Sequence, residues 1–200
     1  MTCRPSFASS SDRTIGFTRV EKMLKPNRPV RRVFRVEGTS EADTSVSPDR
    51  FRELHSQRDR LYRAVALVVG DAGLAADAID EAMTRAYARW ERIEEYASPE
   101  GWVYRVGLNL ARSALRKRRR EDLWERPPER TFFDIPPDLE LRAAIGRLPV
   151  KFRGVVVARY LLDWSTADTA EALGIPEATV KTRLKRALSR LAKDLEGAGE

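Results

Sequence analysis

Side chains that carry out covalent catalysis are scarce in this sequence of 200 residues. Cys3 is the only cysteine and His55 the only histidine, so a nucleophile activated by histidine would join two distant residues with no supporting motif. A Cys/His zinc site needs several such ligands and cannot be assembled from one chain, and a disulfide framework is excluded for the same reason. We therefore expect no enzymatic activity, no metal and no cofactor.

Cationic side chains are instead concentrated in two stretches without acidic residues. Lys and Arg number 37 against 30 Asp and Glu, which gives a formal net charge of +7. The stretches are residues 101–120, ending in consecutive Arg and Lys, and residues 181–193. Such clusters attract nucleic-acid phosphates, although each alone could equally be a solvated helix face with cations near a helix C-terminus. The sequence predicts two separate basic surfaces.

The two segments that precede these stretches have a different charge pattern. Residues 71–100 carry eight acidic and three basic side chains, which favours contact with a protein rather than with DNA. Residues 1–35 carry nine basic and two acidic side chains, with prolines and weak periodicity, and predict a disordered basic extension over 1–47. No apolar run is long enough to span a membrane, and no secretory signal stands at the N-terminus, so we expect a cytoplasmic protein without membrane insertion.

The elements that position these charges are predicted to be helices, because apolar residues recur at intervals of three and four. The predicted helices of the first half are Phe51–Val69, closed by Gly70 and Gly73, then Ala76–Trp90, then one opened by Pro99 that runs into the first basic cluster. The apolar stripe predicted for this third helix is Val103, Val106, Leu110 and Ala114. The second half begins with apolar positions at Leu141, Ile145 and Leu148. The pattern is typical of an all-α protein with two small helical domains.

The domain boundaries follow from these helices and from the prolines between them. We predict an N-terminal extension over 1–47, a first helical domain over 48–117, a flexible linker over 118–138, a second helical domain over 139–195 and a tail over 196–200.

Residues 165–186 carry the most specific pattern, a helix, a tight turn and a second helix. Ser165 is placed to cap the first helix with Asp168 three residues later, and Gly174 can take the positive φ that ends it. The apolar stripe of the second helix leaves five polar residues largely free, namely Thr179, Lys181, Thr182, Arg183 and Arg186. A recognition helix enters the major groove with this end, where Arg, Lys and Thr contact base edges and phosphates.

Two ordered blocks of the chain resemble the sigma-70 family. Residues 76–83 (ADAIDEAM) and 98–106 (SPEGWVYRV) are similar to sigma region 2, and residues 141–149 and 170–187 are similar to region 4. Because only these two regions are present, joined by a short linker, the layout resembles the extracytoplasmic-function (ECF) group. The chain departs from the common pattern at Ala76, Ala78 and Ser113.

The resemblance implies a subunit that binds core RNA polymerase, recognises −35 and −10 promoter elements and promotes strand opening. It implies core RNA polymerase, promoter DNA and an anti-sigma factor as partners. The residues implied for polymerase docking are Asp77, Glu81, Arg85 and Trp90. Those implied for the −10 element are Tyr96, Arg105, Asn109, Arg112 and Arg116. Those implied for the −35 element are Thr179, Lys181, Thr182, Arg183 and Arg186.

Two other classes of function stay open at the level of the residues. A polymerase-independent helix-turn-helix regulator would use the C-terminal helices on an operator and the N-terminal helices for dimerisation or ligand sensing. An enzyme acting on DNA would need a carboxylate cluster or nucleophile placed by a motif, and the sequence presents neither. The first alternative differs from a sigma subunit in one respect: a regulator binds DNA alone, whereas a sigma subunit binds promoters tightly only together with polymerase.

Overall fold

The computed structural model describes residues 48–121 and 139–196, and within them the chain is helical with no strand, which confirms the all-α prediction. The helices of the first part are α1 (Pro48–Ser56), α2 (Arg58–Val69), α3 (Ala72–Tyr87), α4 (Trp90–Ile93) and α5 (Pro99–Glu121). Those of the second part are α6 (Leu139–Arg147), α7 (Val150–Tyr160), α8 (Thr166–Leu173) and α9 (Glu177–Glu196). The predicted N-terminal extension, most of the predicted linker and most of the tail lie outside the described residues.

The first predicted helix is two helices that meet at Gln57. Gly70 ends α2 with a φ of 78°, and its N–H donates to the Ala66 carbonyl, as the pattern predicted. The prediction that Gly73 also ends this helix is wrong, because Gly73 lies in the first turn of α3. The Asp71 side chain accepts a hydrogen bond of 2.9 Å from the Leu74 N–H and caps α3, so that helix starts four residues earlier than predicted.

The predicted second helix also ends earlier than expected, at Tyr87. Trp90 begins the short helix α4, and its ring lies 5.2 Å from the Phe51 ring in an edge-on arrangement. The contact packs α1 over the junction of α3 and α4.

Helix α5 packs along α3 and buries one of its own faces against it. The apolar stripe predicted for it, Val103, Val106, Leu110 and Ala114, is only partly right, because only Val103 is fully buried. The buried positions follow the neighbouring line of the helix, and they are Gly101, Val103, Tyr104, Gly107, Leu108 and Ala111. At Gly107 the backbone of α5 comes so close to α3 that a built Cβ would lie 2.7 Å from Ile79 Cδ1.

The second half forms its own apolar cluster and contains the predicted helix-turn-helix. Leu141, Ile145 and Leu148 are buried together with Phe152 and the apolar face of α9. Ser165 and Asp168 form a complete capping box at the start of α8, since each side chain accepts a hydrogen bond of 3.0 Å from the other's backbone N–H. Gly174 ends α8 with a φ of 63°, as predicted.

The largest apolar cluster joins both halves of the chain. Tyr104 of α5 and Trp164, in the turn before α8, meet edge to face with ring centroids 5.2 Å apart. Val157, Leu162 and Ala172 belong to this same cluster. The two halves therefore share a core through α2 against α7 and α5 against α8. The domain boundaries given above stay a prediction.

Candidate nucleic-acid interface

The first candidate surface is the N-terminal part of α9. Four of the five residues predicted for the −35 element line one cleft of about 300 Å³ between α9 and the start of α7, and they are Thr179, Thr182, Arg183 and Arg186. Their spacing of three and four residues places them on one face of the helix. Lys181 is exposed on α9 but does not line this cleft.

The cleft contains a cation that the sequence pattern missed. Lys151 of α7 lines it opposite the recognition helix, and its Nζ lies 5.4 Å from the centroid of the Phe152 ring. The Arg190 guanidinium lies 4.9 Å from the same ring, which extends the basic surface along α9. Lys151 stands 28 positions before Thr179 in the sequence, so only tertiary packing could associate it with this surface.

The Thr182 hydroxyl is already engaged within the helix. Its Oγ1 donates to the Ala178 carbonyl at 2.9 Å. The hydroxyl oxygen keeps its capacity to accept, and the methyl group stays available for apolar contact with a thymine methyl.

The second candidate surface is a line of polar side chains along α5. Arg105, Asn109, Arg112 and Arg116 are spaced by four, three and four residues, so they share one face of the helix. Arg105, Asn109 and Arg116 are exposed, and Arg112 is half-buried. The Arg116 guanidinium donates to the Ser113 hydroxyl at 2.9 Å.

Arg118, in the basic run that follows, is directed toward the protein. Its Nη1 lies 2.7 Å from Asp71 Oδ2, the carboxylate that also caps α3. This ion pair joins the end of α5 to the start of α3.

Arg112 is the most perturbed cation of this surface. Its guanidinium lies against Gly154 of α7, and its Nε has no hydrogen-bond partner among the described residues. Burial lowers the pKa of Arg112, and the positive charges of Arg116 and Arg183 lower it further. Arg183 belongs to the other predicted surface, so the charges of the two basic surfaces act on each other at Arg112.

Tyr96, the remaining −10 candidate, lines a cleft of about 310 Å³ against α8 together with Arg105. Ser98, Gly101 and Trp102 form the rest of the first-half wall. The opposite wall is formed by residues of α8, namely Asp168, Glu171 and Ala172. An aromatic ring, a cation and an open loop are the groups that hold an unstacked base and its phosphate.

The third candidate surface is the acidic face of α3. Asp77, Glu81 and Arg85 are exposed at intervals of four residues, and Arg85 Nε lies 2.7 Å from Glu81 Oε1. The expectation that Trp90 contacts a partner is corrected here, because its side chain is only 5% exposed and packs against Phe51. Trp90 supports α3 and α4 from the inside.

Tyr87 is an exposed aromatic residue near this acidic face that the apolar periodicity did not distinguish from core. It is 69% exposed and lies at the end of α3, with its ring 5.0 Å from that of Phe51. An exposed ring held by a second aromatic residue is typical of a protein-contact position.

The described part of the chain carries neither a cluster of metal ligands nor a membrane-spanning helix. Residues 48–121 and 139–196 contain no group of three or more His, Cys, Asp or Glu side chains placed to hold a metal ion. Over the same ranges, none of the helices combines the length and the apolar character needed to cross a bilayer.

Comparison with protein families matches both halves of the chain, in the order that the sequence motifs suggested. The family model described as sigma-70 region 2 matches residues 54–121, and the model described as sigma-70, region 4 matches residues 138–191.

Curated relatives align over most of their length. The chain is 35% identical over 147 residues to the RNA polymerase sigma-E factor of Streptomyces coelicolor, with 71% of this chain and 83% of that protein covered. It is 33% identical over 149 residues to the ECF RNA polymerase sigma factor SigM of Mycobacterium tuberculosis, covering 72% of this chain and 74% of that protein.

Two solved structures have a similar fold. The sigma factor RpoE from Bartonella quintana, solved with the anti-sigma factor NepR, matches with a TM-score of 0.62 and 21% identity, covering 75% of this chain and 98% of that one. CnrH, solved with the cytosolic domain of CnrY, matches with a TM-score of 0.53 and 17% identity, covering 94% of this chain and 99% of that one.

Proposed function

The chain belongs to the sigma-70 family of RNA polymerase sigma factors, in its ECF group, and from this membership we propose which of its surfaces contacts the polymerase and which contact promoter DNA. The protein binds core RNA polymerase, recognises −35 and −10 promoter elements and promotes strand opening. The observation that carries this function is the presence of regions 2 and 4, in order, on one chain. A polymerase-independent helix-turn-helix regulator would explain the presence of region 4 but not that of region 2.

The cleft beside α9 is the proposed −35 reader. Its cations, Arg183 and Arg186, would contact guanine edges or phosphates in the major groove, and Thr179 and Thr182 supply shorter polar groups beside them. Lys151 lies on the other wall, where it would contact a backbone phosphate and fix the orientation of α9. Lys181, on a different side of the helix, would contribute to affinity through phosphate contact.

The polar face of α5 is the proposed −10 surface. Arg105, Arg112 and Arg116 would neutralise the phosphates of the non-template strand, and Asn109 would contact base edges. Tyr96, at the mouth of the loop before α5, would stack on a base that leaves the duplex. Because this strand is bound preferentially when single, its binding energy would favour opening of the duplex.

The acidic face of α3 is the proposed polymerase contact. Asp77, Glu81 and Arg85 are exposed on one line of a helix that carries no cation cluster for DNA. Tyr87 would add apolar contact area at the edge of this face. Opposite charges on the partner would orient the encounter.

The protein acts through binding and has no bond chemistry of its own in this proposal. Its place of action is the cytoplasm, where core polymerase and chromosomal DNA are found. One of the two similar solved structures is of a sigma factor bound to an anti-sigma factor, and we include such an inhibitor among the partners of this chain.

Run-off transcription from genomic promoter fragments tests the function. Purified core RNA polymerase with the full chain should give discrete transcripts that core enzyme alone does not give. The complex should also elute as one species in size-exclusion chromatography. Failure of both transcription and core association would contradict the proposal.

The same reagents separate a sigma subunit from a polymerase-independent regulator. A sigma subunit binds promoter fragments tightly only together with core enzyme, whereas a regulator binds its operator alone. Gel-shift titrations with and without core enzyme therefore decide between them, and equal affinity in both titrations would favour the regulator.

A further inference from the structure

The second half of α9 carries a cleft to which the proposed function assigns no role. This second cleft has a volume of about 590 Å³ and is lined by Thr182, Lys185, Arg186, Ser189 and Arg190. All five side chains are exposed, and their spacing places them on one face of the helix. Thr182 and Arg186 also line the first cleft, which is the proposed −35 reader. These two residues therefore form a ridge between two adjoining clefts.

The cations of the second cleft are not neutralised by the described part of the protein. Residues 178–193 of α9 include no Asp or Glu. Lys185, Arg186 and Arg190 form no ion pair with a carboxylate among the described residues. Neighbouring positive charges without a counter-charge repel one another. The ligand that this cleft favours therefore carries negative charge.

The side chains that line the second cleft favour a phosphate backbone over a protein surface. Arg, Lys, Ser and Thr are side chains that contact DNA phosphates, and all five lining residues are of these types. Aromatic residues and Met are enriched at the centre of protein contacts, whereas Lys and Ser are depleted there. The lining contains no aromatic residue and no Met. Together with the adjoining −35 reader, this composition points to DNA.

The length of α9 allows both clefts to contact one duplex. A helix of 20 residues is about 30 Å long, whereas the major groove is about 12 Å wide. Arg190 follows Thr179 by 11 residues, which is roughly 16 Å along the helix axis. When the first turns of α9 lie against base edges, its second half therefore extends out of the groove, over the phosphates that flank the recognised base pairs.

One aromatic ring holds a cation of each cleft. The Arg190 guanidinium, in the second cleft, lies 4.9 Å from the centroid of the Phe152 ring. Lys151 Nζ, in the first cleft, lies 5.4 Å from the same centroid. Phe152 is only 4% exposed and belongs to the apolar cluster of the second half, so close packing fixes its ring. A cation that already rests on a fixed ring loses less side-chain freedom when it binds a phosphate.

We propose that the second cleft binds phosphates that flank the −35 element, and that Phe152 is a positioning residue that orients Arg190 and Lys151 toward the DNA backbone. Phe152 is itself buried and does not contact DNA. The proposal rests on the proposed function, because it requires α9 to lie on the −35 element. The second cleft adds an interaction that is independent of base sequence and fixes the orientation of α9 in the groove.

Arg190→Ala tests the second cleft in the holoenzyme formed by core RNA polymerase and the full chain. The probe is a fluorescein-labelled duplex from a promoter that the wild-type chain transcribes, with one helical turn of promoter sequence on each side of the −35 element. Binding is followed by anisotropy over a range of KCl concentrations. Arg63→Ala is the matched control, because Arg63 is an exposed cation of α2 that lines neither cleft.

The salt dependence identifies a phosphate contact. Loss of one such contact should make the slope of log affinity against log salt concentration shallower by about 0.9. The affinity advantage of the wild type over Arg190→Ala should therefore shrink about 2.7-fold between about 100 and 300 mM KCl. Arg63→Ala should keep the wild-type slope. A wild-type slope in Arg190→Ala would overturn the second cleft as a phosphate site.

Neutral methylphosphonates, substituted one at a time for the phosphates outside the −35 base pairs, locate the contact. At the phosphate that Arg190 contacts, the substitution should weaken binding by the wild type about 3- to 10-fold. The same substitution should weaken binding by Arg190→Ala less than about 2-fold, because the contact is already lost. Equal effects on both proteins at every flanking position would contradict the proposal.

Phe152→Leu tests the positioning role, because leucine keeps an apolar side chain in the core and removes the ring. It should weaken duplex binding about 2- to 5-fold, and its effect should be smaller in an Arg190→Ala background. Circular dichroism establishes that each variant is folded at the assay temperature. If Phe152→Leu does not fold, Phe152→Met replaces it, since methionine fills irregular core space. Equal losses in the wild-type and Arg190→Ala backgrounds would overturn the positioning role.

Run-off transcription and core titrations with the same proteins separate this proposal from the proposed function. If the wild-type chain neither associates with core nor transcribes, the function fails and the second cleft fails with it. If the wild type transcribes and Arg190→Ala matches Arg63→Ala in salt slope, only the second cleft is rejected. Weaker core association of Arg190→Ala with unchanged duplex affinity would show that the cleft contacts a protein, and it would overturn the proposal.

Discussion

The close approach of α5 to α3 at Gly107 gives a prediction whose magnitude follows from the structure. These two helices carry the proposed −10 and polymerase-docking surfaces, so this contact sets their relative position. In Gly107→Ala, the added methyl group would lie 2.7 Å from Ile79 Cδ1. Ile79 is fully buried, so any turn of its side chain away from the new methyl group would displace neighbouring core atoms.

Two effects of Gly107→Ala oppose each other. Replacing glycine by alanine inside a helix stabilises it by about 0.5–1 kcal/mol. Overpacking a well-packed core costs about 1–3 kcal/mol. We expect the steric cost to exceed the helix-propensity gain, with a net decrease of about 0.5–2 kcal/mol in the free energy of unfolding. The measurement is urea denaturation followed by circular dichroism.

Ile79→Val removes the Cδ1 atom and so identifies the cause. Alone, it should cost about 0.5–1.5 kcal/mol, as for a typical buried Ile→Val change. Combined with Gly107→Ala, it should cost less than the sum of the single changes, with a coupling free energy of about 1–2 kcal/mol. Additivity within about 0.3 kcal/mol would refute the described contact between α3 and α5.

Gly146→Ala is the matched control for helix propensity. Gly146 lies in α6, and a built Cβ there has nothing within 4 Å. This variant should be stabilised by up to about 0.5–1 kcal/mol. Equal stabilisation of Gly107→Ala and Gly146→Ala would also contradict the reasoning.

Three further predictions concern the other elements. Ser165→Ala should lower the free energy of unfolding by about 1 kcal/mol, because the capping box at α8 is lost; an unchanged melting curve in calorimetry would contradict this. Arg183→Ala should weaken binding of the holoenzyme to a −35 duplex. If Arg183 contacts a base, the binding free energy should fall by about 1–3 kcal/mol and the sequence preference should relax. If it contacts a phosphate, the slope of log affinity against log salt concentration should become smaller by about one. Lys193→Ala, on the same helix beyond the cleft, is the comparison, and equal effects of both would refute the assignment. Asp77→Ala should weaken association with core polymerase in a titration. Glu95→Ala, which removes an exposed carboxylate elsewhere, should not. A loss of −35 duplex affinity in Asp77→Ala would show that the polymerase and DNA surfaces are wrongly assigned.

The elements predicted correctly from sequence are those decided by neighbouring residues. The capping box of Ser165 and Asp168 and the positive φ of Gly174 depend on groups a few positions apart. Both can therefore be predicted from the sequence. The predicted start of α3 is wrong although its cap is also local, because both nearby glycines were taken to end the preceding helix. Asp71 caps it from directly after Gly70, and the glycines were assigned to one helix end.

Burial within a helix was predicted less well because apolar residues occupy more than one face. Trp90 is buried and Tyr87 exposed, although both fit the same apolar period. On α5 the covered line includes Tyr104 and Gly107, because the neighbouring helices α3 and α8 determine which face is enclosed. The apolar period alone predicts that a helix forms, but it does not determine which face of that helix is turned toward the core.

The sequence by itself determined the helical class, the two ordered regions, the helix-turn-helix and the cations that could contact DNA, since all of these depend on composition and short spacing. Only the tertiary structure decided what those cations face. Arg105 meets the Glu171 carbonyl across 66 positions of sequence, and Arg112 lies against Gly154 of α7 across the same interface. These contacts arise because Tyr104, Trp164 and their neighbours bury apolar surface between the two halves, and the resulting packing places α8 beside a predicted DNA surface.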